Sequence, residues 1–297
     1  SIPHNLPKKT WKDFVTTNNP LTSEIIEKSI CDSIEKKLKM FNGKKISIAL
    51  SGGVDSTLVL SLIRKVNPDI DIKAISIKFA NSVDETIDAA KIATKFNVEH
   101  HIVHLENYLS ELPKAISMIK MPFWDLHWYY VVKKSQDLSK ILISGDGGDE
   151  LFGGYTFRYK KFLSLTSETS KPLEKVLAYL QCHERDRVPD QEKIFDQKSN
   201  FSWESIHKLL LPYFDNTLSR IEQVFLADYN GKLLYNFNPV NSQIIKKFNM
   251  ELFTPLLNDK LVLSAPHMKK SSKYDEMNDI GKLPLRNILK KNGHDLL

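Results

Sequence analysis

Cysteine is scarce in this sequence. Cys31 and Cys182 are the two in 297 residues, too few and too far apart for a disulfide framework or a zinc cluster, so each is expected as a reduced thiol. Long apolar runs are missing as well: nothing approaches the roughly 18 consecutive apolar residues of a membrane span. Mean hydropathy is negative, and no charged-then-apolar leader opens the sequence. These absences set the expectation of a cytoplasmic protein without membrane contact. A strong excess of one charge sign is lacking too, with 42 basic against 36 acidic residues and a net charge of +6. That balance would suit a phosphate-bearing ligand, but a mixed, lysine-rich surface explains it equally well, so charge selects no partner. There is no internal repeat and no low-complexity tract. What is present is 41% hydrophobic residues, core enough for one large domain or two ordinary ones.

Residues 1–20 carry three prolines and no sustained period, which predicts an extended or irregular lead-in. Ile26, Ile30, Ile34 and Leu38 then recur every four residues, with Glu24 and Glu27 early and Lys36, Lys37 and Lys39 late. That pattern predicts an amphipathic helix whose charges complement its dipole, ended by Gly43. Short β-rich runs at 45–50, 72–79, 99–105 and 140–144 alternate with helical stretches at 58–66, at 84–96 with Ile87, Ala90 and Ala93 on one face, and up to 118. Strands separated by helices predict right-handed crossovers and an α/β fold, a parallel sheet sandwiched by helices, with ligands at the carboxyl ends of the strands. From Leu151 onward the pattern is mainly helical, with a polar stretch at 181–202 expected as a loop or lid. The aromatic residues Phe123, Trp124, Trp128, Tyr129 and Tyr130 fall at helical spacing and are expected as core rather than as a stacking platform.

Residues 49–58, ALSGGVDSTL, lie where a strand ends and a helix, expected to begin near Ser56, takes over. Gly52 and Gly53 let backbone N–H groups turn inward, Ser51, Ser56 and Thr57 add hydroxyls, and the helix aims its positive end at the loop, which together make a phosphate cradle. The G-x-x-x-x-G-K-[ST] spacing of the better-known phosphate loop is absent, and Asp55 would repel bare phosphate. A carboxylate there makes sense if it holds Mg²⁺ bound to the phosphates. SGGVDS resembles the signature of the PP-loop ATP pyrophosphatase superfamily, whose fold is adenine nucleotide alpha hydrolase-like and whose members cleave ATP between the α and β phosphates.

Residues 141–155, ILISGDGGDELFGGY, form a second strand, acidic glycine loop and helix. They resemble the signature of asparagine synthetase synthetase domains, shared in looser form by β-lactam synthetases and lasso-peptide cyclases. KLPLR at 282–286, Asp84 and Glu85 before an alanine-rich helix, and the pair His100 and His101 follow the family's order, so the resemblance spans roughly residues 22–290. It implies adenylation of a small-molecule carboxylate by ATP with release of pyrophosphate, then displacement of AMP by ammonia or another amine to form an amide. It further implies that Ser51–Thr57 holds pyrophosphate, that Asp55 and Asp149 are the Mg²⁺ carboxylates, that Ser144 and Gly145 contact the nucleotide and that the backbones of Ala49 and Ile77 face adenine. Lys282 would place its charge on the reacting phosphorus and the leaving group. Asp146 stands at the family's glutamate, assigned to deprotonating the attacking ammonium, and is one methylene shorter. Tyr155 is left between a catalytic role and a helix anchor. The two histidines, adjacent in a strand, point to opposite faces and cannot chelate one metal.

The sequence departs from the family in two places. Fewer than fifty residues precede the first strand, a space in which no glutaminase domain is expected, and residue 1 is Ser1 rather than a nucleophilic cysteine, so the expected nitrogen source is free ammonia, a separate glutaminase subunit or another amine. In NMELFTPLLNDKLV at 249–262, Phe253 stands where arginine is usual and Asn258 where aspartate is usual, and Ser242 falls near an expected aspartate. The acceptor half is thus expected to differ, a uronic sugar or biosynthetic intermediate being as apt as aspartate. An intramolecular amide-forming cyclase and a PP-loop tRNA-modifying enzyme are the alternatives, the second disfavoured by the SGDGGDE loop, so nucleic acid is not an expected partner. The expected organisation is a lead-in over 1–20, a PP-loop ATP-binding core over 21–165 and a mainly helical part over 166–297 that completes the site with Lys282.

Overall fold

A computed structural model describes residues 6–17, 21–41, 45–79, 84–120, 126–183, 193 and 200–294. Five strands, β1 Ile46–Ala49, β2 Ile72–Phe79, β3 Glu99–Leu105, β4 Ile141–Ile143 and β5 Glu251–Phe253, pair in the order β3-β2-β1-β4-β5 among the described residues. Every pairing is parallel, with Ile46 opposite Ile72 and Ile48 opposite Ile143. The period-2 alternation of the strands assigns their two faces. Ile46, Ile48, Ile72, Ala74, Ile141, Ile143 and Phe253 look into one apolar layer, and Ile75, Ile77, Leu142 and Leu252 into the other.

The first layer is covered by α1 (Ser23–Met40), α2 (Val54–Val66), α3 (Thr86–Lys95) and much of the later helical region. In α1, Ile26, Ile30, Ile34 and Leu38 are all buried, and the Thr22 hydroxyl accepts the Ile25 N–H at the amino end. The second layer is covered by α4 (Leu112–Ile119), α5 (His127–Leu138) and, further along the chain, Val240, Ile244 and Ile245. Since β1 and β2 extend the sheet one way and β4 and β5 the other, the winding reverses between β1 and β4, and a crevice opens at their carboxyl ends.

Four local expectations are corrected. Helix α2 begins at Val54 on a Gly53 cap, not near Ser56, so Asp55, Ser56 and Thr57 occupy its first turn. In α3 the buried face is Thr86, Ala89, Ile92 and Ala93, while Ile87 is 58% exposed; Asp84 stays outside, accepting the Thr86 N–H, and the helix starts two residues late. Strand β5 arises in a stretch read as helical, where a three-residue run is too short to show a period. The lead-in holds a helical turn, Trp11–Phe14, that buries Phe14, and the Lys9 backbone exchanges hydrogen bonds of 3.0 Å with the Asn230 side chain. Tyr129 and Tyr130 are core as expected, Trp128 borders a cavity, and Phe123 and Trp124 lie outside the described residues, as does most of 181–202. Among the described residues no helix is long and apolar enough to cross a membrane.

Candidate active site

Two strand-to-helix turns meet in the crevice. After β1 the chain turns at Gly52, whose φ of +79° requires glycine, into the amino end of α2. The loop is held by its own hydroxyls: the Ser51 hydroxyl accepts the Gly53 N–H at 3.3 Å, and the Ser56 hydroxyl donates to the Gly53 carbonyl at 3.3 Å. After β4, Ser144 and Gly145 lead into the short helix α6 (Gly148–Phe152). The turns touch backbone to backbone, since a Cβ on Gly145 would come within 2.9 Å of the Ser56 nitrogen. A Cβ on Gly148 would run into the Asp55 carboxylate itself.

A third segment completes the centre from far along the chain. Lys282 sits in left-handed conformation before the helix Leu283–Lys291, and its backbone N–H donates to the Phe152 carbonyl at 3.0 Å. Its ammonium lies 2.6 Å from Asp55 Oδ2 and 2.8 Å from Asp149 Oδ1. Burial opposes its charge, but the two carboxylates prevail and hold it protonated well above the usual lysine range. Burial pushes the Asp55 carboxyl up, against the pull of Lys282. Asp55 Oδ1 is buried without a hydrogen-bond partner.

A cavity of about 310 Å³ opens on one side of this trio. Ala49, Ser51, Asp55, Ser56 and Ile77 line it from the β1–β2 side, and Ser144, Gly145, Asp146, Asp149 and Tyr155 from the β4 side. A second cavity of about 290 Å³, at the amino end of α2, is lined by Gly53, Lys282 and Arg286 among others. The remaining two sequence-predicted residues line neither. Gly52 turns towards α3, where a Cβ would meet the Ala89 nitrogen at 3.1 Å, and Thr57 is fully buried with its hydroxyl unpartnered, contrary to the expectation that it faces the loop. Asp146 accepts hydrogen bonds from the Ser144 hydroxyl at 3.1 Å and from Asn241 Nδ2 at 3.4 Å.

Several residues that shape the site carried no role in the sequence. Glu150 lines the large cavity yet is 4% exposed, and burial together with the charge of Asp149 pushes its carboxyl up to about 8. The Tyr155 hydroxyl donates to it at 2.6 Å, and burial raises that hydroxyl well above its usual range. Lys232 lies 4.0 Å over the Tyr155 ring and, like Phe237 on the cavity wall, comes from a π-helical turn at Asp228–Phe237. The preceding helix is Arg220–Ala227, and Asn238–Lys247 follows without a break. Burial raises Asp228 to about 6, and the Tyr179 hydroxyl bonds it at 2.8 Å. Only the DE pair of the second motif could have flagged any of these; a widened helical turn leaves no periodic trace.

The altered acceptor positions prove to be structural. Phe253 is buried in β5, and Asn258 caps the helix Asp259–Ser264 while the Ser29 hydroxyl donates to it at 3.0 Å. The Ser242 hydroxyl donates to the Asn238 carbonyl at 2.6 Å. His100 Nε2 is 2.8 Å from the Ser76 hydroxyl and His101 Nε2 is 2.8 Å from Glu99 Oε1, so the pair points to separate partners. Among the described residues no three His, Cys, Asp or Glu side chains converge as a metal cage. Two carboxylates converging on one ammonium, with a spare oxygen on Asp55, do fit Mg²⁺ carried in with phosphates, which needs only one or two protein carboxylates.

Comparison with known proteins agrees with the motif resemblance. The Asparagine synthase family model matches residues 27–293. Asparagine synthetase [glutamine-hydrolyzing] 1 of Bacillus subtilis is 29% identical over 231 residues, 71% of this chain and 35% of that protein. Putative asparagine synthetase [glutamine-hydrolyzing] 2 of Methanocaldococcus jannaschii is 33% identical over 124 residues, 40% of this chain and 24% of that one. The chain thus spans about a third or less of the length of these two relatives. Among solved structures, the NMN synthetase of Francisella tularensis superposes with a TM-score of 0.39 at 16% identity, covering 72% of this chain and 95% of its own.

Proposed function

The chain belongs to the asparagine synthase family, and from that premise we propose that it is an ATP-dependent, AMP-forming ligase that turns a small-molecule carboxylate into an amide. The carrying observation is the trio of Asp55, Asp149 and Lys282 set between two cavities at the carboxyl ends of β1 and β4. In the first half-reaction a substrate carboxylate oxygen attacks the α-phosphorus of ATP. The bond from that phosphorus to the bridging oxygen breaks, pyrophosphate leaves with the electron pair, and an acyl-adenylate remains. In the second, ammonia attacks the acyl carbon, the bond to the AMP oxygen breaks, and AMP departs. Starting from ammonium, one proton goes to a base before attack and one to solvent after it.

The first-turn N–H groups of α2 and the Ser51 and Ser56 hydroxyls would hold the β and γ phosphates, with Gly53, Lys282 and Arg286 on the far side. The adenosine end falls among Ala49, Ile77, Ser144 and Gly145. Asp55 and Asp149 would hold Mg²⁺, which when bound neutralises phosphate charge. Lys282, released from those carboxylates, faces the phosphate oxygens where negative charge gathers. Asp146 lies at the edge of the same cavity as the base that takes the ammonium proton. Tyr155, hydrogen-bonded to Glu150 in the cavity wall, orders that wall rather than reacting. In this reading residues 21–165 carry the nucleotide half and 166–297 contribute Lys282 and the acceptor wall.

The test is direct: ATP, Mg²⁺ and ammonium chloride with a panel of carboxylates, following AMP and pyrophosphate. Carboxylate-dependent pyrophosphate release with ammonium-dependent AMP release is expected. Formation of ADP and phosphate, or AMP formation that requires tRNA, would overturn the proposal.

A further inference from the structure

In the amide-ligase reading, adenosine claims the end of the large cavity beside Ala49, Ile77 and Ser144, which leaves the acceptor the other end, where Phe237 and Tyr155 form the wall next to Asp146 and Glu150. Behind Phe237 lies a third cavity of about 10 Å³, bordered by Leu233, Leu252, Leu257, Asn241 and Thr254, so the hydrocarbon continues beyond the ring. The acceptor end offers no fixed positive charge. Among the described residues the wall of the large cavity contains no lysine or arginine, and its one imidazole, His127, stands at the adenosine end with its ring 5.5 Å from that of Phe79 in β2. Lys282 borders the second cavity and is held by Asp55 and Asp149. Lys232 lies on ring faces, 4.0 Å over Tyr155 and 5.1 Å over Phe237, without being part of the wall.

Neutral donors do not make up for the missing cation. Asp146 accepts from Ser144 and Asn241, and the Tyr155 hydroxyl is spent on Glu150. Asn241 Oδ1 and Thr254 Oγ1 are buried without partners; the first repels an anion, and the second offers it one hydroxyl at most. A carboxylate carried into this end without a counter-charge loses hydration that nothing replaces. A ring or methylene face laid on Phe237 and Tyr155 buries apolar surface at no such cost. We infer that these two rings set the acceptor class: a monocarboxylic acid whose remaining body is uncharged and turns an apolar face to them, to the exclusion of aspartate and other dicarboxylates. The inference rests on the amide-ligase reading and deepens it. Phe237 is the specificity-determining side chain, because the π-helical turn Asp228–Phe237 delivers it to the large cavity and the third one alike.

Matched acids test the class on the full chain with ATP, Mg²⁺ and ammonium chloride, pyrophosphate release giving kcat/KM for each. Succinamate and succinate share one skeleton and differ by a single charge; succinamate is expected to lead by at least about 100-fold, the scale of a buried charge left unpaired. Hydrocinnamate, which adds a ring, is expected to lead both, and aspartate to fall no higher than succinate. Phe237→Leu keeps the wall apolar but removes its ring, and is expected to raise KM for hydrocinnamate about tenfold, the scale of an aromatic pair, with kcat and the KM for ATP within a few-fold of wild type. Phe237→Arg supplies the missing cation and is expected to narrow the succinamate lead at least about tenfold; where it does not melt cooperatively, Phe237→Leu carries the test. Aspartate or succinate turned over as well as the neutral acids, or a hydrocinnamate KM that Phe237→Leu leaves unmoved, overturns the class while AMP formation upholds the ligase. A dicarboxylate preference that disappears in Lys232→Met overturns it equally, by showing that Lys232 anchors an anion. Absence of AMP formation with every acid overturns the ligase reading itself.

Discussion

Replacing Lys282 with methionine keeps most of the side-chain stem and deletes the one charge that separates Asp55 from Asp149. In the wild type its Nζ lies 2.6 and 2.8 Å from the two carboxylates, whose side chains are 14% and 31% exposed. Removing one partner of a buried ion pair typically costs about 3–5 kcal/mol, and the partial exposure of Asp149 places this case at the lower end, about 3 kcal/mol. That corresponds to a fall in Tm of roughly 5–10 °C for a chain of this size. The loss should depend on pH with a definite sign. Left side by side without a counter-charge, one carboxyl of Lys282→Met has a folded pKa raised above its unfolded value of about 3.9. The native variant then keeps a proton that the unfolded chain releases, so its deficit is small near pH 4 and widens as pH rises towards the raised pKa, levelling beyond it. Millimolar Mg²⁺, able to replace the missing cation, should restore much of the Tm in Lys282→Met while shifting the wild type little, because there the ammonium already fills the gap. Exchange of pyrophosphate into ATP should fall by roughly 10²–10³-fold, the scale on which a preorganised charge at a developing anion acts. A deficit under about 1 kcal/mol that is flat from pH 4 to 8 and unmoved by Mg²⁺ would refute the placement of Lys282 between these carboxylates.

Asp146→Asn should leave ATP–pyrophosphate exchange within a few-fold of wild type but slow ammonium-dependent amide release at least about 100-fold, the usual scale of a general base; equal loss of both half-reactions would contradict its assignment to the second. Glu150→Gln should bear on pH rather than on the fold. With its carboxyl raised to about 8 by burial, native wild type holds a proton between roughly pH 4.5 and 8 that the unfolded chain gives up, so its stability declines across that window, and the variant, lacking this slope, gains on it as pH rises. Parallel Tm-against-pH curves would show that Glu150 does not titrate so. Gly148→Ala drives a Cβ into the Asp55 carboxylate and should cost about 1–3 kcal/mol by overpacking; chemical denaturation measures that loss, and wild-type pyrophosphate exchange in the variant would mean that the two turns need not touch.

The legible parts of this molecule are those written as local chemistry or as a regular period. The α1 stripe Ile26, Ile30, Ile34, Leu38 is buried residue for residue because a four-residue recurrence fixes one helical face. The strand at 72–79 is readable because β-branched Ile72 falls on one covered face and Ile75 and Ile77 on the other. By contrast Ile87 invited a face that the helix turns to solvent: Thr86, Ala89, Ile92 and Ala93 are the residues it buries, a stripe rotated one position from the expected one. The residues of the two glycine loops are contiguous motifs, whereas other parts of the cavity walls are assembled from Phe237, Asn241 and Thr254 on a π-helical turn, a helix and the end of β5. No spacing rule joins them. Phe253 shows the converse limit: its position in a motif suggested a substrate contact, and the pleat of β5 turns it into the core, leaving its neighbours Leu252 and Thr254 at the cavity.

Glycine shows why the motif itself could be read at all. The chain has only 11 glycines, and eight of them, at 52, 53, 145, 147, 148, 153, 154 and 281, lie in the three segments that build the centre. Conformational freedom explains a few of these; space explains the most informative. A Cβ on Gly148 would meet the Asp55 carboxylate, one on Gly154 would meet both the Asp149 carboxylate and the Lys282 stem, and one on Gly281 would meet the Gly153 carbonyl. Each therefore marks a place where the segments that carry the trio approach more closely than a methyl group allows. Charges brought that near must be screened from water to attract strongly, yet reachable by phosphate to act, and bare backbone meets both demands by giving up side-chain bulk without adding a competing polar group. A glycine-poor chain that concentrates its glycines where an aspartate, an aspartate and a lysine converge has been shaped there by contact between charges rather than by the turns alone.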